Sequence, residues 1–291
     1  MNTSRRAPPP ATNDSGDLGD LLRYWRDLRG VSQLDLSLEA GVSQRQISFI
    51  ESGRSVPGRD TLLTLAQTLD VPLRERNALL LAAGYAPVYS EAPWDAQEMQ
   101  AVARALERVV RQHEPFPAIV MDRHWNVLMT NDAAPRFFNR FIDMAARKGP
   151  RNMLHLMFDP HGMRPFVDDW PTVARSLLQR VHRESIGRAI DAGTQRLLDA
   201  LLAWPDVPRD WRNWQAPASS SSAAAMPFVP LGFRHEGTVL RYFSMVTTVG
   251  APQNASAQEL RLECLFPADD ETETRHREWL ADTIKPATNQ S

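Results

Sequence analysis

The sequence lacks the features that mark secreted, membrane-spanning and disulfide-bonded proteins. Cys264 is the single cysteine among 291 residues, so no intramolecular disulfide can form and nothing favours an oxidising compartment. No apolar run approaches the ~18 residues that a membrane span needs. The start of the chain is rich in Pro, Ser, Asn and Thr and has no apolar stretch typical of a signal peptide. We therefore expect a cytoplasmic protein that does not associate with a membrane.

Motifs of catalysis and metal binding are missing as well. The 7 histidines show no HExxH or similar ligand spacing, and no Walker-type glycine loop, GxGxxG or GxSxG is present. Cys264 lies in an apolar, β-prone run without an obvious adjacent base, which is typical of a buried structural thiol. We expect neither an enzyme nor a metal site, and we expect that no cofactor is required.

An excess of one charge sign is also absent, since the net charge is −2 and the pI is near 6.4. The chain as a whole does not attract nucleic acid, and any affinity for DNA must come from a local patch. The length of 291 residues predicts two domains, and shares of 43% hydrophobic and 23% charged residues predict that most of the chain folds.

Residues 18–84 predict an all-α first domain that follows a disordered tail at residues 1–17. Apolar residues recur there at helical spacing in five short stretches. Residues suited to helix N-caps and helix ends separate the stretches, namely Ser32, Ser43, Gly30, Gly41 and Gly53. The predicted helices begin at Leu18, Gln33, Gln44, Asp60 and Leu73.

The second and third of these helices, within Gln33–Ser52, are joined by the tight turn Ala40-Gly41-Val42-Ser43. This spacing matches a DNA-binding helix-turn-helix, whose second helix enters the major groove by its N-terminal end. Helical rotation places Ile47 and Ile50 towards the core. The opposite face carries Gln44, Arg45 and Ser48, with Phe49 beside them. On an isolated helix such a polar face is more often simply solvated.

The stretch "QLDLSLEAGVSQRQISFIESGRSVPGRDTLLTLAQTLDVP" resembles the phage-repressor-like, XRE-type helix-turn-helix family, over Leu18 to about Pro72. The resemblance implies contacts from Gln33 and Ser43 to the DNA backbone and a structural pair between Arg26 and Glu51. It also implies base reading by Gln44, Arg45 and Ser48. Glutamine suits adenine and arginine suits guanine, while Arg54 and Arg59 suit phosphates.

Two further properties of this domain need an explanation from its structure. Six arginines and six acidic residues lie between Leu18 and Asp60, so a DNA-binding footprint must be asymmetric. Leucines 34, 36 and 38 alternate, and alternate residues cannot all share one helix face. We expect some of the three leucines to lie at the rim of the domain or to contact another domain.

The rest of the chain predicts an α+β domain at residues 117–270, between a linker with a connecting helix at 85–116 and a tail at 271–291. β-prone runs stand on both sides of a helical middle, at Ala118–Met121, Trp125–Thr130, Gly232–His235, Val239–Val249 and Leu260–Phe266. A Ser/Ala/Pro stretch at Ala216–Pro227 predicts a mobile loop. This order is typical of a PAS-like domain, in which helices cover one antiparallel sheet.

The segments "PAIVMDRHWNVLMTNDAA", "NMLHLMF", "VARSLL" and "RLECLFPADD" resemble the ligand-binding domain of MmyB-like regulators. The resemblance implies a PAS-like fold with an internal pocket and a fatty-acid-like ligand. Candidate lining residues are Trp125, Met129, Phe137, Phe138, Leu154, Met157, Phe158 and Phe243. Each of them also suits plain core packing. Candidate partners of a carboxylate head group are Arg123, His124, Arg136, Arg234 and Arg241.

These observations favour a sequence-specific transcriptional regulator that binds an operator in double-stranded DNA as a homodimer and an apolar small molecule in its second domain. The alternative is a regulator whose second domain holds a protein partner, as an antitoxin or scaffold does. A closed apolar cavity would favour the first hypothesis and an exposed apolar patch the second.

Overall fold

The computed structural model describes residues 17–186, 192–213 and 231–282, and these form two compact units. The first unit contains the described residues up to Pro93 together with Gly250–Gln258 and the described parts of Arg183–Gln195. The second unit contains the remaining described residues. The segment Ala216–Pro227, predicted to be a loop, and nearly all of the predicted N-terminal tail lie outside the described residues.

The first unit confirms the five predicted helices. They are α1 (Leu18–Arg29), α2 (Gln33–Ala40), α3 (Gln44–Glu51), α4 (Arg59–Thr68) and α5 (Leu73–Ala82). Ser32 and Asp35 form a capping box at the start of α2, and the Ser43 hydroxyl accepts from the Gln46 N–H at the start of α3. Gly30 and Gly41 take left-handed φ values of 69° and 66° where α1 and α2 end.

Apolar faces of these helices pack into one core, with Leu22, Trp25, Leu36 and Ile47 nearly or fully buried. Leu36 is 0% exposed, whereas Leu38 is 75% exposed and Leu34 also lies at the surface, so the alternate leucines do occupy different faces. The packing of α1 against α3 requires a glycine at position 19. A Cβ there would lie 2.6 Å from the Glu51 carbonyl oxygen.

A segment distant in sequence completes the first unit. Pro72 precedes α5 and offers no side-chain acceptor for the helix N-terminus. The Leu73 N–H instead donates to Gln258 Oε1 at 2.7 Å, across 185 residues of sequence. Nearby, the Ala255 N–H donates to the Ser90 carbonyl at 2.8 Å, and Ala255 is buried. The segment Gly250–Gln258 is therefore part of the packed first unit.

The second unit contains a five-stranded antiparallel sheet, which confirms the predicted α+β class. Its strands are β1 (Ala118–Met121), β2 (Val127–Thr130), β3 (Leu231–His235), β4 (Thr238–Thr247) and β5 (Arg261–Pro267), in the order β2-β1-β5-β4-β3. The remaining helices of the described chain are α6 (Gln100–Gln112), α7 (Ala133–Phe138), α8 (Met153–Phe158), α9 (Trp170–Ile186), α10 (Ala192–Ala203), α11 (Ala255–Gln258) and α12 (Asp270–Asp282). No described helix is long and apolar enough to cross a bilayer.

Three predictions about the second unit need correction. Residues from 271 onwards were expected to be a tail, but α12 packs on β4 and its His276 is fully buried. The helix α6 was expected in a linker, but it packs on β1 within the second unit. The second strand begins at Val127 rather than Trp125, because residues 122–126 form a turn in which Trp125 has a φ of 66°.

Candidate functional site

The helix α3 presents the polar face that its sequence predicted. Ile47 and Ile50 are buried in the core of the first unit, which confirms the predicted rotation of the helix. Gln44 and Arg45 are exposed at its N-terminal end, and Ser48 is half-buried. The side chains expected to read bases therefore lie together on one accessible face.

Behind this face, a buried network around Glu51 holds α1, α2 and α3 together. Arg26 Nε and Nη2 donate to Glu51 Oε1 and Oε2 at 2.7 and 3.1 Å, which confirms the predicted pair. These hydrogen bonds raise the pKa of Arg26. Arg23 donates to the Glu51 carbonyl oxygen, and Arg29 donates to the carbonyl of Leu69 at 2.8 Å. Three of the six arginines between Leu18 and Asp60 thus have internal roles.

The structure places Gln33 and Ser43, the two residues expected to touch the DNA backbone, in structural hydrogen bonds. Gln33 Nε2 donates to Glu51 Oε2 at 2.8 Å, so this amide belongs to the Glu51 network. The Ser43 hydroxyl caps α3 and is exposed. Ser43 therefore lies at the N-terminal end of α3, whereas Gln33 contacts Glu51, the last residue of this helix, and both side chains have a role in the absence of DNA.

The other three arginines are exposed, Arg45 on α3, Arg54 on the segment after it and Arg59 at the first residue of α4. Within the described part of the chain, none of their guanidinium groups has an ion-pair partner. By contrast, the acidic groups of Asp20, Asp27 and Glu51 are paired with arginines of α1. Asp35, Glu39 and Asp60 are exposed on α2 and α4, but α3 itself carries no exposed acidic side chain, so its surface is locally positive, as DNA binding requires.

In the second unit, six of the eight candidate lining residues are buried in one core. They are Trp125, Phe137, Phe138, Leu154, Met157 and Phe158. The ring of Phe137 makes edge contacts with Phe138 at 5.3 Å and with Phe233 at 5.2 Å between centroids. Aromatic packing of this kind occupies the interior between the sheet and its helices.

The strand register separates Met129 and Phe243 from these six residues. Met129 pairs with Val120. Ile119 and Met121, the residues on either side of Val120, face the core, so Val120 and Met129 both point to the opposite side of the sheet. There Met129 lines a cavity of about 400 Å³ with Glu107, Val110, Arg111, Glu114, Thr130, Asn131 and Asp132. Phe243 pairs with Phe266 and stacks on it at 5.5 Å, again away from the core.

Two arginines not considered from the sequence contact a candidate lining residue. The guanidinium of Arg180 lies 4.3 Å from the Trp125 ring centroid, and that of Arg261 lies 5.9 Å away. Arg180 also forms an ion pair with Glu263 at 3.2 Å. Of the five candidates, Arg123 is paired with Glu259 and Arg234 with Asp168. The amphipathic spacing of α9 gave no signal that singles out Arg180.

A neutral hydrogen-bond chain crosses the same core. The Tyr242 hydroxyl lies 2.7 Å from His276 Nδ1, and His276 Nε2 lies 2.8 Å from the Pro115 carbonyl oxygen. Burial lowers the pKa of His276 and raises that of Tyr242. A neutral imidazole therefore accepts from Tyr242 and donates to Pro115. Burial also raises the pKa of the half-buried Cys264 thiol, as expected for a structural cysteine.

Two family models match the chain. A helix-turn-helix model matches residues 22–76, and a model described as the MmyB-like transcription regulator ligand binding domain matches residues 102–278. The second match covers more than half of the chain and ends inside α12, so it includes most of the helix that replaces the predicted tail. Both models describe regulator domains. No curated protein matches the chain.

Proposed function

The chain belongs to the family of MmyB-like transcription regulators, and on that premise we propose that an apolar, fatty-acid-like ligand controls its binding to an operator, in the cytoplasm. The chain is a DNA-binding transcription regulator with a ligand-binding domain. The observation that carries the DNA-binding contacts proposed here is the exposed positive charge on and near α3. Arg45, Arg54 and Arg59 are exposed there without ion-pair partners in the described part of the chain, while Arg23, Arg26 and Arg29 of α1 have partners within the unit.

On this face we assign sequence reading to Gln44, Arg45 and Ser48 and backbone affinity to Arg54 and Arg59. Loss of one good base contact costs ~1 to 3 kcal/mol and relaxes the preference at one base, whereas loss of a phosphate contact weakens all sequences alike. Selection from random DNA with Arg45→Ala and with Arg59→Ala distinguishes these roles. An unchanged preference in Arg45→Ala contradicts the assignment.

The match to a ligand-binding domain supports a ligand in the second unit, and the aromatic core is the apolar surface that we propose for it. Each buried CH₂ of an acyl chain contributes ~0.8 kcal/mol before ordering costs. Because the six candidate side chains pack against one another, an acyl chain enters only when some of them move apart. Arg180, which contacts Trp125 and pairs with Glu263, is the cation that we propose for a carboxylate head group.

Control of DNA binding requires that the ligand prefer one of two states of the protein, since a ligand that binds both equally shifts nothing. Mass spectrometry of organic extracts from purified protein tests occupancy. Operator titrations with delipidated and reloaded protein test control. Lipid-free protein that takes up no fatty acid rules out this ligand, and equal titration curves for both forms rule out control by it.

We propose further that the regulator is a homodimer, because one recognition helix covers only a half-site. Two half-sites about 34 Å apart, or a multiple of that distance, would match a two-fold axis. The helix α6 leaves Val109 exposed on its surface and is a candidate contact. Light scattering with and without operator DNA tests this, and a monomer in both conditions contradicts it.

One observation supports the alternative in which the second unit holds a protein partner. Met245 is 56% exposed on β4 and shares its face of the strand with Phe243, which stacks on Phe266. Apolar residues that share an accessible face are typical of protein contacts more than of a closed sensor. Co-purification of a protein that Met245→Ser releases, from lipid-free regulator, would favour this alternative.

A further inference from the structure

Phe49 of α3 lies between two of the exposed arginines. The guanidinium carbon of Arg45 is 5.2 Å from the centroid of the Phe49 ring, and that of Arg54 is 5.8 Å from it. Both distances fall within the ~6 Å over which a cation is attracted to an aromatic face. One ring therefore contacts a residue assigned to base reading and a residue assigned to the phosphates.

The backbone of Phe49 fixes the same arrangement. The helix α3 ends at Glu51, and Gly53 takes a left-handed φ of 69° that turns the chain back. The Arg54 N–H then donates to the Phe49 carbonyl oxygen at 2.8 Å. The segment that carries Arg54 is thus held to Phe49 by its main chain as well as by its side chain.

Core packing does not account for this aromatic residue. Phe49 is only half-buried and is not among the described residues that build the core of the first unit. The buried face of α3 is supplied by Ile47 and Ile50. A smaller apolar side chain at position 49 would therefore leave that core intact.

We propose that Phe49 is a positioning residue for operator binding, which holds Arg45 and Arg54 in the conformations that DNA requires. An arginine stacked on a ring keeps its N–H edge free for hydrogen bonds to a base or a phosphate. Long side chains held in place before binding lose less conformational entropy when they bind. This inference rests on the proposed DNA-binding role of the two arginines.

The expected effect follows from the fraction of each arginine in the competent conformation. An exposed cation–π contact is worth ~0.5 to 1 kcal/mol, so its loss reduces that fraction by about two- to fivefold. Phe49→Leu keeps an apolar helix-forming residue and removes the ring. Because it acts on two arginines, we expect operator binding to weaken by about four- to twenty-fivefold.

The experiment uses the full chain and an operator selected by the wild-type protein from random DNA. Binding is titrated for Phe49→Leu, for Phe49→Tyr, which keeps the ring, and for both changes in the Arg45→Ala, Arg54→Ala background. We expect Phe49→Tyr to bind within about twofold of wild type, as an aromatic face is retained. In the background without the two arginines, we expect Phe49→Leu to have little further effect.

Circular dichroism and thermal melting show whether Phe49→Leu is folded, and Ile47→Ala is the comparison for a core defect. A folded Phe49→Leu that binds as wild type overturns the inference. An equal loss in the background without the arginines also overturns it, because the ring would then act directly, for example on a thymine methyl group. If the wild-type protein selects no sequence, the proposed operator binding itself fails.

Discussion

The two units differ in how they satisfy the polar groups that they bury. In the first unit, Arg26 neutralises the charge of Glu51, and the Gln33 amide donates a hydrogen bond to the same carboxylate. In the second unit, Tyr242, His276 and the Pro115 carbonyl form a neutral chain within an aromatic core. A charged network defines one geometry, because each oxygen needs its donor. A neutral chain in an aromatic core costs less when its surroundings rearrange, which suits a domain that admits a ligand.

Removal of the Glu51 charge should give the largest effect. Glu51→Gln leaves Arg26 without its buried partner, and breaking a buried pair from one side costs ~3 to 5 kcal/mol. We expect a lower denaturant midpoint for the first unit and loss of operator binding. Glu39→Gln, at an exposed position of the neighbouring helix α2, is the control and should melt as the wild-type protein does. Equal stability of the two variants would show that the Glu51 network is dispensable.

A smaller effect is expected from the neutral chain. Tyr242→Phe leaves His276 Nδ1 buried without a donor, which costs ~1 to 3 kcal/mol. Tyr85→Phe removes a part-buried bond to the Pro57 carbonyl in the first unit and is the matched control. Hydrogen exchange read by peptide should show faster exchange in α12 and β4 for Tyr242→Phe. If α12 stays protected, the neutral chain does not hold it.

Acid should act on the second unit and spare the first. All seven histidines lie between His113 and His276, and burial lowers the pKa of His276 in the folded state below the ordinary value of 6.5. The unfolded chain therefore binds this proton first, so stability present above pH 6.5 is lost as the pH falls through the folded pKa. We expect α12 to lose protection more than α1 does as the pH is lowered below the ordinary histidine pKa of 6.5. His276→Gln should flatten this dependence.

The smallest expected effect concerns a hydrogen bond between two segments that are distant in sequence and adjacent in the first unit. Gln258→Ala removes the acceptor of the Leu73 N–H, a bond worth about 0.5 to 1.5 kcal/mol. We expect faster hydrogen exchange at the start of α5, in the first unit, from a change made beyond residue 250. Gln97→Ala, at an exposed position, should leave α5 unchanged. Unaltered exchange at Leu73 in both variants would mean that the segment Gly250–Gln258 does not support α5.

What the sequence could predict depends on how local the signals are. The helices of the first unit were predictable because caps such as Ser32 and Ser43 lie next to the residues they cap. The pair between Arg26 and Glu51 was predictable from the family resemblance. By contrast, Gln33 is engaged by Glu51, 18 residues away, and no local pattern indicates this.

The second unit was predictable in its strands but less so in its interior. Alternation within β2 and β4 does not say which face meets the helices, so Met129 and Phe243 were grouped with residues on the other side. The helix α12 has mostly polar residues, and the fully buried His276 on it bonds to the Pro115 carbonyl across 161 residues. Arg180 acquires its contact with Trp125 only when the chain folds.

The bond between Leu73 and Gln258 also has a consequence for synthesis. The five helices of the DNA-binding unit leave the ribosome early, but the acceptor for the first N–H of α5 is encoded 185 residues after Leu73. At about 5 to 20 residues per second, translation needs roughly 10 to 40 s to reach it. During that interval α5 begins without its partner. A nascent chain therefore contains the complete helix α3 well before it contains Gly250–Gln258, the last segment of the unit in which α3 lies.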